Sequence, residues 1–310
     1  MNKDKWIISV PFGFETGGPE ALHQLCHTLR ENNQKAYVFP EKGTEKNARV
    51  KAYEKYDAPE IHSYAITDIL VVPEVIPRLI SKTKKSVLWW LSVDNSPLIN
   101  DLQFKKPNRI FDRRFFTKVY SQSTFHVTQS VYAKEFLKNH ADLESSMLTD
   151  WVSVPKTKAY EEHGKYIAVN GNKGINRFEE LKNCMPEFNF RLIKDLSKQD
   201  AMDLLSNAEL YLDLGHQPGK DRLPREAALL NVPVLLLRIG AARNDLDFPL
   251  SQEYKFEWDR LDELKSKISQ MLNNRTSAIN KQQEFRNNVK CERSRFKLEV
   301  RNLIQRVTNE

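Results

Sequence analysis

The feature of this sequence that most restricts its fold is an alternation that runs twice. Short apolar segments bounded by polar residues recur with helical stretches between them, stop at a charged stretch near the middle, and begin again. In the first run, residues 6–10, 36–39, 68–72, 86–91 and 118–122 read as strands. Helical periodicity falls between them, through Leu22, Leu25, Cys26 and Leu29, over 75–83, and over 123–139 through Val127, Val131 and Phe136. Strands that are apolar along their whole length are buried on both faces, which requires a parallel sheet covered by helices on either side. Residues 153–165 hold Pro155 and many charges and read as a linker. The second run then places strands at 166–169, 190–193, 210–214 and 232–237, with helices over 176–184, 198–207 and 224–230. The prediction is an α/β chain of two Rossmann-like, doubly wound domains facing each other across a cleft. The domains are expected over 1–155 and 156–275, followed by a C-terminal amphipathic helix over 276–310 that packs back on the body.

Composition narrows the class. A chain of 310 residues, 40% hydrophobic and 29% charged, can bury two cores and is neither disordered nor fibrous. No apolar run approaches the roughly 18 residues of a membrane span. The apolar run at 6–10 is too short for a signal-peptide core. Cys26, Cys184 and Cys291 are far apart and odd in number, which argues against a disulfide framework and for a cytoplasmic protein.

The net charge is +7, and residues 275–310 carry nine basic against four acidic side chains. In that tail Val289, Phe296, Val300, Leu303, Ile304 and Val307 recur at helical spacing, with the basic residues on the remaining surface. Two readings of the charge stand side by side, a solvated helix face and a peripheral contact with an anionic membrane surface. A second basic cluster, Lys105, Lys106, Arg109, Arg113, Arg114 and Lys118, is interleaved with Phe104, Phe111, Phe115 and Phe116 and has the same two readings. No base-stacking aromatic array accompanies either cluster, so nucleic acid is not expected as a partner.

In doubly wound sheets ligands sit beyond the carboxyl ends of the strands, so the loops there carry the candidate chemistry. Gly17 and Gly18 open the helix after the first strand and allow a close approach to its N-terminal N–H groups. Asn170-Gly171-Asn172-Lys173-Gly174 occupies the same place in the second run, where a lysine at a helix start can meet a diphosphate. The longest such loop, 213–223, holds His216, Lys220 and Arg222. It enters a helix near Pro224, with Glu226 as a first-turn acid or as a carboxylate for ribose hydroxyls. Asp94 and Asn95 follow an apolar strand, and His23 lies within the first helix; either segment could bind an acceptor or supply a base. Trp89 and Trp90 are candidates for stacking on a sugar. Asp245-Leu246-Asp247 has the spacing of a metal-binding pair but reads as a loop, and no metal site is expected.

These motifs resemble those of the GT-B glycosyltransferases, particularly the retaining family 4 group and its relatives. Gly17-Gly18-Pro19-Glu20 is similar to that family's Gly-Gly-x-Glu loop, and Lys173-Gly174 to its Lys-Gly loop. Pro224-Arg225-Glu226-Ala227-Ala228 through Val232-Pro233-Val234 is similar to its Pro-x-Glu-Ala stretch and the Pro-Val strand after it. The resemblance implies an enzyme moving a sugar from a nucleotide-sugar donor to a cell-surface glycan or lipid-linked acceptor, with no cofactor and no metal. Donor binding would involve Gly17, Gly18, Asn170, Lys173, Gly174, Arg222, Glu226 and Asp245. Asp94, His216, Lys220 and Arg222 would act at the reacting end. The family places another acid eight positions before Glu226, where this chain has Pro218. That departure keeps two alternatives open, a nucleotide-sugar epimerase on the same fold and a non-catalytic subunit that binds glycan or a partner.

Overall fold

The computed structural model describes residues 4–41, 48–106, 113–157 and 164–309. Arg109, Phe111, Glu310 and residues 158–163 of the expected linker lie outside the described residues. The chain divides into two compact units. The first holds residues 1–151 and 293–310, and the second holds 152–292.

Unit 1 begins with strand β1 (Trp6–Val10), helix α1 (Gly17–Glu31), β2 (Ala36–Pro40), β3 (Ile69–Pro73) and β4 (Lys85–Trp90). Helices α2 (Ile99–Phe104) and α3 (Arg113–Val119), strand β5 (Thr124–Thr128), helix α4 (Val131–Phe136) and the two-residue β6 (Ser146–Met147) follow. The six strands pair in parallel in the order β2-β1-β3-β4-β5-β6. Successive strand residues point to opposite faces, and both faces are covered. Trp6, Ile8 and Val10 join Leu22, Leu25 and Leu29 of α1 in one core. Ile7, Val72, Leu88 and Trp90 join Leu102, Phe115 and Ala133 in the other. Trp89 and Trp90 fall on these two faces and are both 0% exposed. Their indole N–H groups donate to the Leu148 carbonyl at 2.9 Å and to His126 Nδ1 at 3.1 Å. Both tryptophans are core, and neither is available for stacking on a sugar.

Unit 2 comprises β7 (Gly164–Asn170), α5 (Ile175–Cys184), β8 (Phe190–Ile193), α6 (Lys198–Ser206), β9 (Ala208–Asp213), α7 (Arg222–Leu229), β10 (Val234–Leu237) and β11 (Lys255–Phe256). Helices α8 (Leu261–Asn273), α9 (Arg275–Lys281) and α10 (Gln283–Lys290) complete it. Its five strands are also parallel, in the order β11-β10-β9-β7-β8.

Three elements differ from the sequence reading. Residues 118–122 are not a strand: the strand is β5, and α3 occupies the residues before it. The expected helix over 123–139 is reduced to α4 and a π-helical turn, Leu137–Ala141. The single C-terminal helix over 276–310 is instead α9, α10 and α11 (Glu292–Asn309), with breaks at Gln282 and Cys291. Phe296, Val300, Leu303 and Val307 of α11 complete the α1-side core of unit 1. Among the described residues, no helix is long and apolar enough to cross a membrane.

Candidate functional site

In unit 2 the loops after β7 and β9 meet at the carboxyl ends of their strands. Asn170 closes the first loop on itself, its Oδ1 accepting the Asn172 N–H at 3.1 Å, and its Nδ2 donates to Asp213 Oδ2 at 3.3 Å. Asp213 also accepts from the Tyr211 hydroxyl at 2.6 Å and from the Gly215 N–H at 2.9 Å. The side chain of Asn170 therefore helps to shape the loop. Gly174 has φ +69°, and a Cβ there would lie 2.5 Å from the Leu214 carbonyl oxygen. A Cβ on Gly215 would lie 2.4 Å from Cβ of Lys173. Glycine at these two positions lets one loop lie directly on the other, with Lys173 stretched across Gly215.

Lys173 ends on the carboxylate of Asp221, the residue before α7, and keeps 33% of its side chain exposed. Burial raises the pKa of Asp221, and the Lys173 ammonium opposes that shift. Helix α7 starts at Arg222, two residues before the sequence reading placed it, so Glu226 is in its second turn and not its first. Pro224 still lies where the backbone N–H groups have no intrahelical partner. Glu226 is 4% exposed, with Oε1 3.6 Å from Arg222 Nε.

Lys220 departs furthest from expectation. It is 4% exposed, and its Nζ donates to Glu292 Oε1 at 2.8 Å. Arg225, 0% exposed, donates to Glu292 Oε2 at 2.9 Å. Arg225 also reaches back to the carbonyls of Lys220 at 2.6 Å and Asp221 at 3.1 Å. Lys220 is thus a structural cation that fixes the loop entering α7, because a buried ammonium needs its counter-ion close. His216 packs against Gly240 on the loop after β10. Asp245 accepts from Lys255 Nζ of β11 at 2.5 Å and from Gln252 on the turn before it. Asp247 is 1% exposed, and the described residues contain no group of three or more His, Cys, Asp and Glu placed to hold a metal.

In unit 1, Gly17 and Gly18 are the first residues of α1 itself, after Thr16. Glu20 is 2% exposed and accepts from the Tyr56 hydroxyl at 2.7 Å and from Lys55 at 2.9 Å, which makes it an internal anchor. His23 donates from Nδ1 to the Pro19 carbonyl at 2.7 Å, its ring 4.8 Å from that of Tyr53. Burial pulls its pKa down to about 4, so it is a neutral core histidine at neutral pH. Asp94, on the turn Val93–Asn95 after β4, holds the Tyr132 hydroxyl at 3.0 Å from each carboxylate oxygen.

Sequence reasoning missed Asp213, Asp221, Arg225 and Glu292. Asp221 carries a local signal, an acid immediately before a helix. Glu292 carries none, because its partners lie 67 and 72 residues away in the chain.

No family model matches the sequence, and no curated protein matches it. Solved structures do, along the whole chain. Sucrose-phosphate synthase from Thermosynechococcus elongatus superposes with a TM-score of 0.68 at 9% identity, covering 98% of this chain and 99% of that one. A glycosyltransferase from Rickettsia africae gives 0.65 at 14% identity over 100% and 99%. WaaG, a glycosyltransferase involved in lipopolysaccharide biosynthesis, gives 0.59 at 13% identity over 98% and 100%. The fold is GT-B. At such low identity the likeness extends to architecture alone.

Proposed function

We propose that this chain is a glycosyltransferase that moves a sugar from a nucleotide-sugar donor to a glycan or lipid-linked acceptor. The observation that carries the reading is Lys173. It is a partly exposed cation laid over Gly215 beside the start of α5, at the carboxyl ends of β7 and β9 in a GT-B fold. A diphosphate there would replace Asp221 as the partner of the Lys173 ammonium and would meet the N-terminal dipole of α5. Arg222 adds a second cation, and Glu226 beside it offers a carboxylate to the ribose hydroxyls. As the bond from sugar to diphosphate breaks, negative charge grows on the leaving oxygens. Cations already in position stabilise that charge more than the ground state, which lowers the barrier. Asp94 is assigned to the acceptor side, its carboxylate oriented by Tyr132. Contact with anionic lipid would use Lys105, Lys106, Arg113 and Arg114 together with Phe104, which is 67% exposed.

The test is release of nucleoside diphosphate from a panel of nucleotide sugars, with and without glycan acceptors. Wild-type protein is expected to turn over one donor, with Lys173→Ala and Glu226→Ala lowering kcat/KM at least a hundredfold. The withdrawal of Lys220 into a buried ion pair favours the second reading, a non-catalytic GT-B subunit. Nucleotide binding without turnover of any donor would establish that reading instead.

A further inference from the structure

Glu74, the residue after β3, has no part in the function proposed above, yet its carboxylate is 2% exposed at the carboxyl end of the unit 1 sheet. It accepts from two successive backbone N–H groups, Leu91 at 3.0 Å and Ser92 at 2.9 Å. These are the first residues past β4. Its own backbone is tied to the same segment: the Glu74 N–H donates to the Trp89 carbonyl at 3.0 Å, and the Ser96 hydroxyl donates to the Glu74 carbonyl at 3.1 Å. Residues 91–96 are therefore fastened at both ends by one residue, and Asp94 lies between the fastenings.

We propose that Glu74 is a positioning residue, a proton-sensitive clamp that orders residues 91–96 and so fixes where Asp94 is presented. A protonated Glu74 keeps acceptor lone pairs for both N–H groups, whereas an ionised carboxylate in this buried place carries a desolvation cost that opening of residues 91–96 relieves. Burial raises the pKa of Glu74 to about 7, with the backbone hydrogen bonds of Leu91, Glu74 itself and Ser92 opposing the shift. The titratable side chains on the adjoining segments are Glu15 beyond β1, Arg78 and Lys82 on the turn after β3, Asp94, His126 on β5 and Tyr132 on α4. The clamp thus loosens as pH rises from 6 to 8. The link to Asp94 rests on the acceptor-side reading given above.

Hydrogen exchange of the full chain at pH 6 and pH 8, corrected for intrinsic exchange rates, tests the clamp directly. The amides of residues 91–96 in the wild type are expected to be about tenfold better protected at pH 6. In Glu74→Gln, whose amide imitates the protonated acid at both pH values, protection should be high and equal. If that variant does not fold, the wild type alone decides: protection that is the same at both pH values overturns the clamp. The same pH pair in a transfer assay separates the two claims. A wild-type acceptor KM that falls toward pH 6, at unchanged kcat, supports both. A change in protection with a flat KM supports the clamp and overturns the acceptor role of Asp94.

Discussion

Glu292 pairs with Lys220 and Arg225 within unit 2, and replacing it with glutamine removes one negative charge while keeping the shape. In the wild type its two oxygens are 2.8 Å from Lys220 Nζ and 2.9 Å from Arg225 Nη1. Side-chain exposures of 0% for Glu292, 0% for Arg225 and 3% for Lys220 leave water almost no access. Glu292→Gln therefore withdraws the carboxylate that two buried cations share, and arginine cannot shed its proton. Breaking a buried ion pair by removing one partner costs about 3–5 kcal/mol, and that is the expected loss in the transition that unfolds unit 2. Urea titration at 25 °C, followed by far-UV circular dichroism, reads it as a lower midpoint at unchanged slope. Replacing all three residues together, with Lys220→Met, Arg225→Met and Glu292→Leu, is expected to cost much less, since the buried cations leave together with their shared carboxylate. A loss below about 1 kcal/mol in Glu292→Gln, the range of exposed pairs, would refute the argument.

Two pH effects of opposite sign are expected in the body of unit 1. The pKa of Glu74 is raised from 4.5 to about 7, so folding is favoured by the protonated form. Its contribution is full below pH 4.5 and falls by about 3 kcal/mol as pH rises through 7, a slope that Glu74→Gln should lack in denaturant titrations. The pKa of His126 is lowered from 6.5 to about 4 by burial, and its Nδ1 accepts from Trp90. Its contribution is full above pH 6.5 and falls by about 2 kcal/mol at pH 5, a loss that His126→Gln should abolish. Gly215→Ala would place a methyl 2.4 Å from Cβ of Lys173; nucleotide affinity, measured by calorimetry, should fall about tenfold or more with circular dichroism unchanged. An unchanged affinity in that variant would separate Lys173 from the nucleotide.

Among the described residues, nine of the eleven strands are longer than two residues, and eight of those were legible as short, mostly apolar runs bounded by polar residues. The exception, β5, has the sequence Thr-Phe-His-Val-Thr, whose polar residues disguise a buried strand. Its polarity is satisfied internally: Thr124 donates to the Lys118 carbonyl at 2.8 Å, and His126 bonds Trp90 and Val119. Apolar patterning does not detect polar groups whose partners are other buried groups. The two-residue strands β6 and β11 are too short to carry any pattern. At the candidate site, the glycine loops and Lys173 were visible in the sequence because their spacing is local. What occupies each polar group was not visible, because Asp221 is 48 residues from Lys173 and Glu292 is 72 from Lys220. That is why Lys220, one of three basic residues in a polar loop, read as a ligand for diphosphate, while the folded chain uses it as a counter-ion.

The most direct test of the central claim is the thermal midpoint of the purified chain against UDP, GDP, ADP, dTDP, CDP and CMP, repeated in Lys173→Ala and Glu226→Ala. A nucleotide present at 100 times its Kd stabilises the folded state by about 2.7 kcal/mol, a shift that is easily resolved. The account predicts that one nucleoside diphosphate raises the midpoint of the wild type and that both substitutions abolish the rise. No rise with any of the six would contradict nucleotide-sugar transfer, and an undiminished rise in Lys173→Ala would contradict the site.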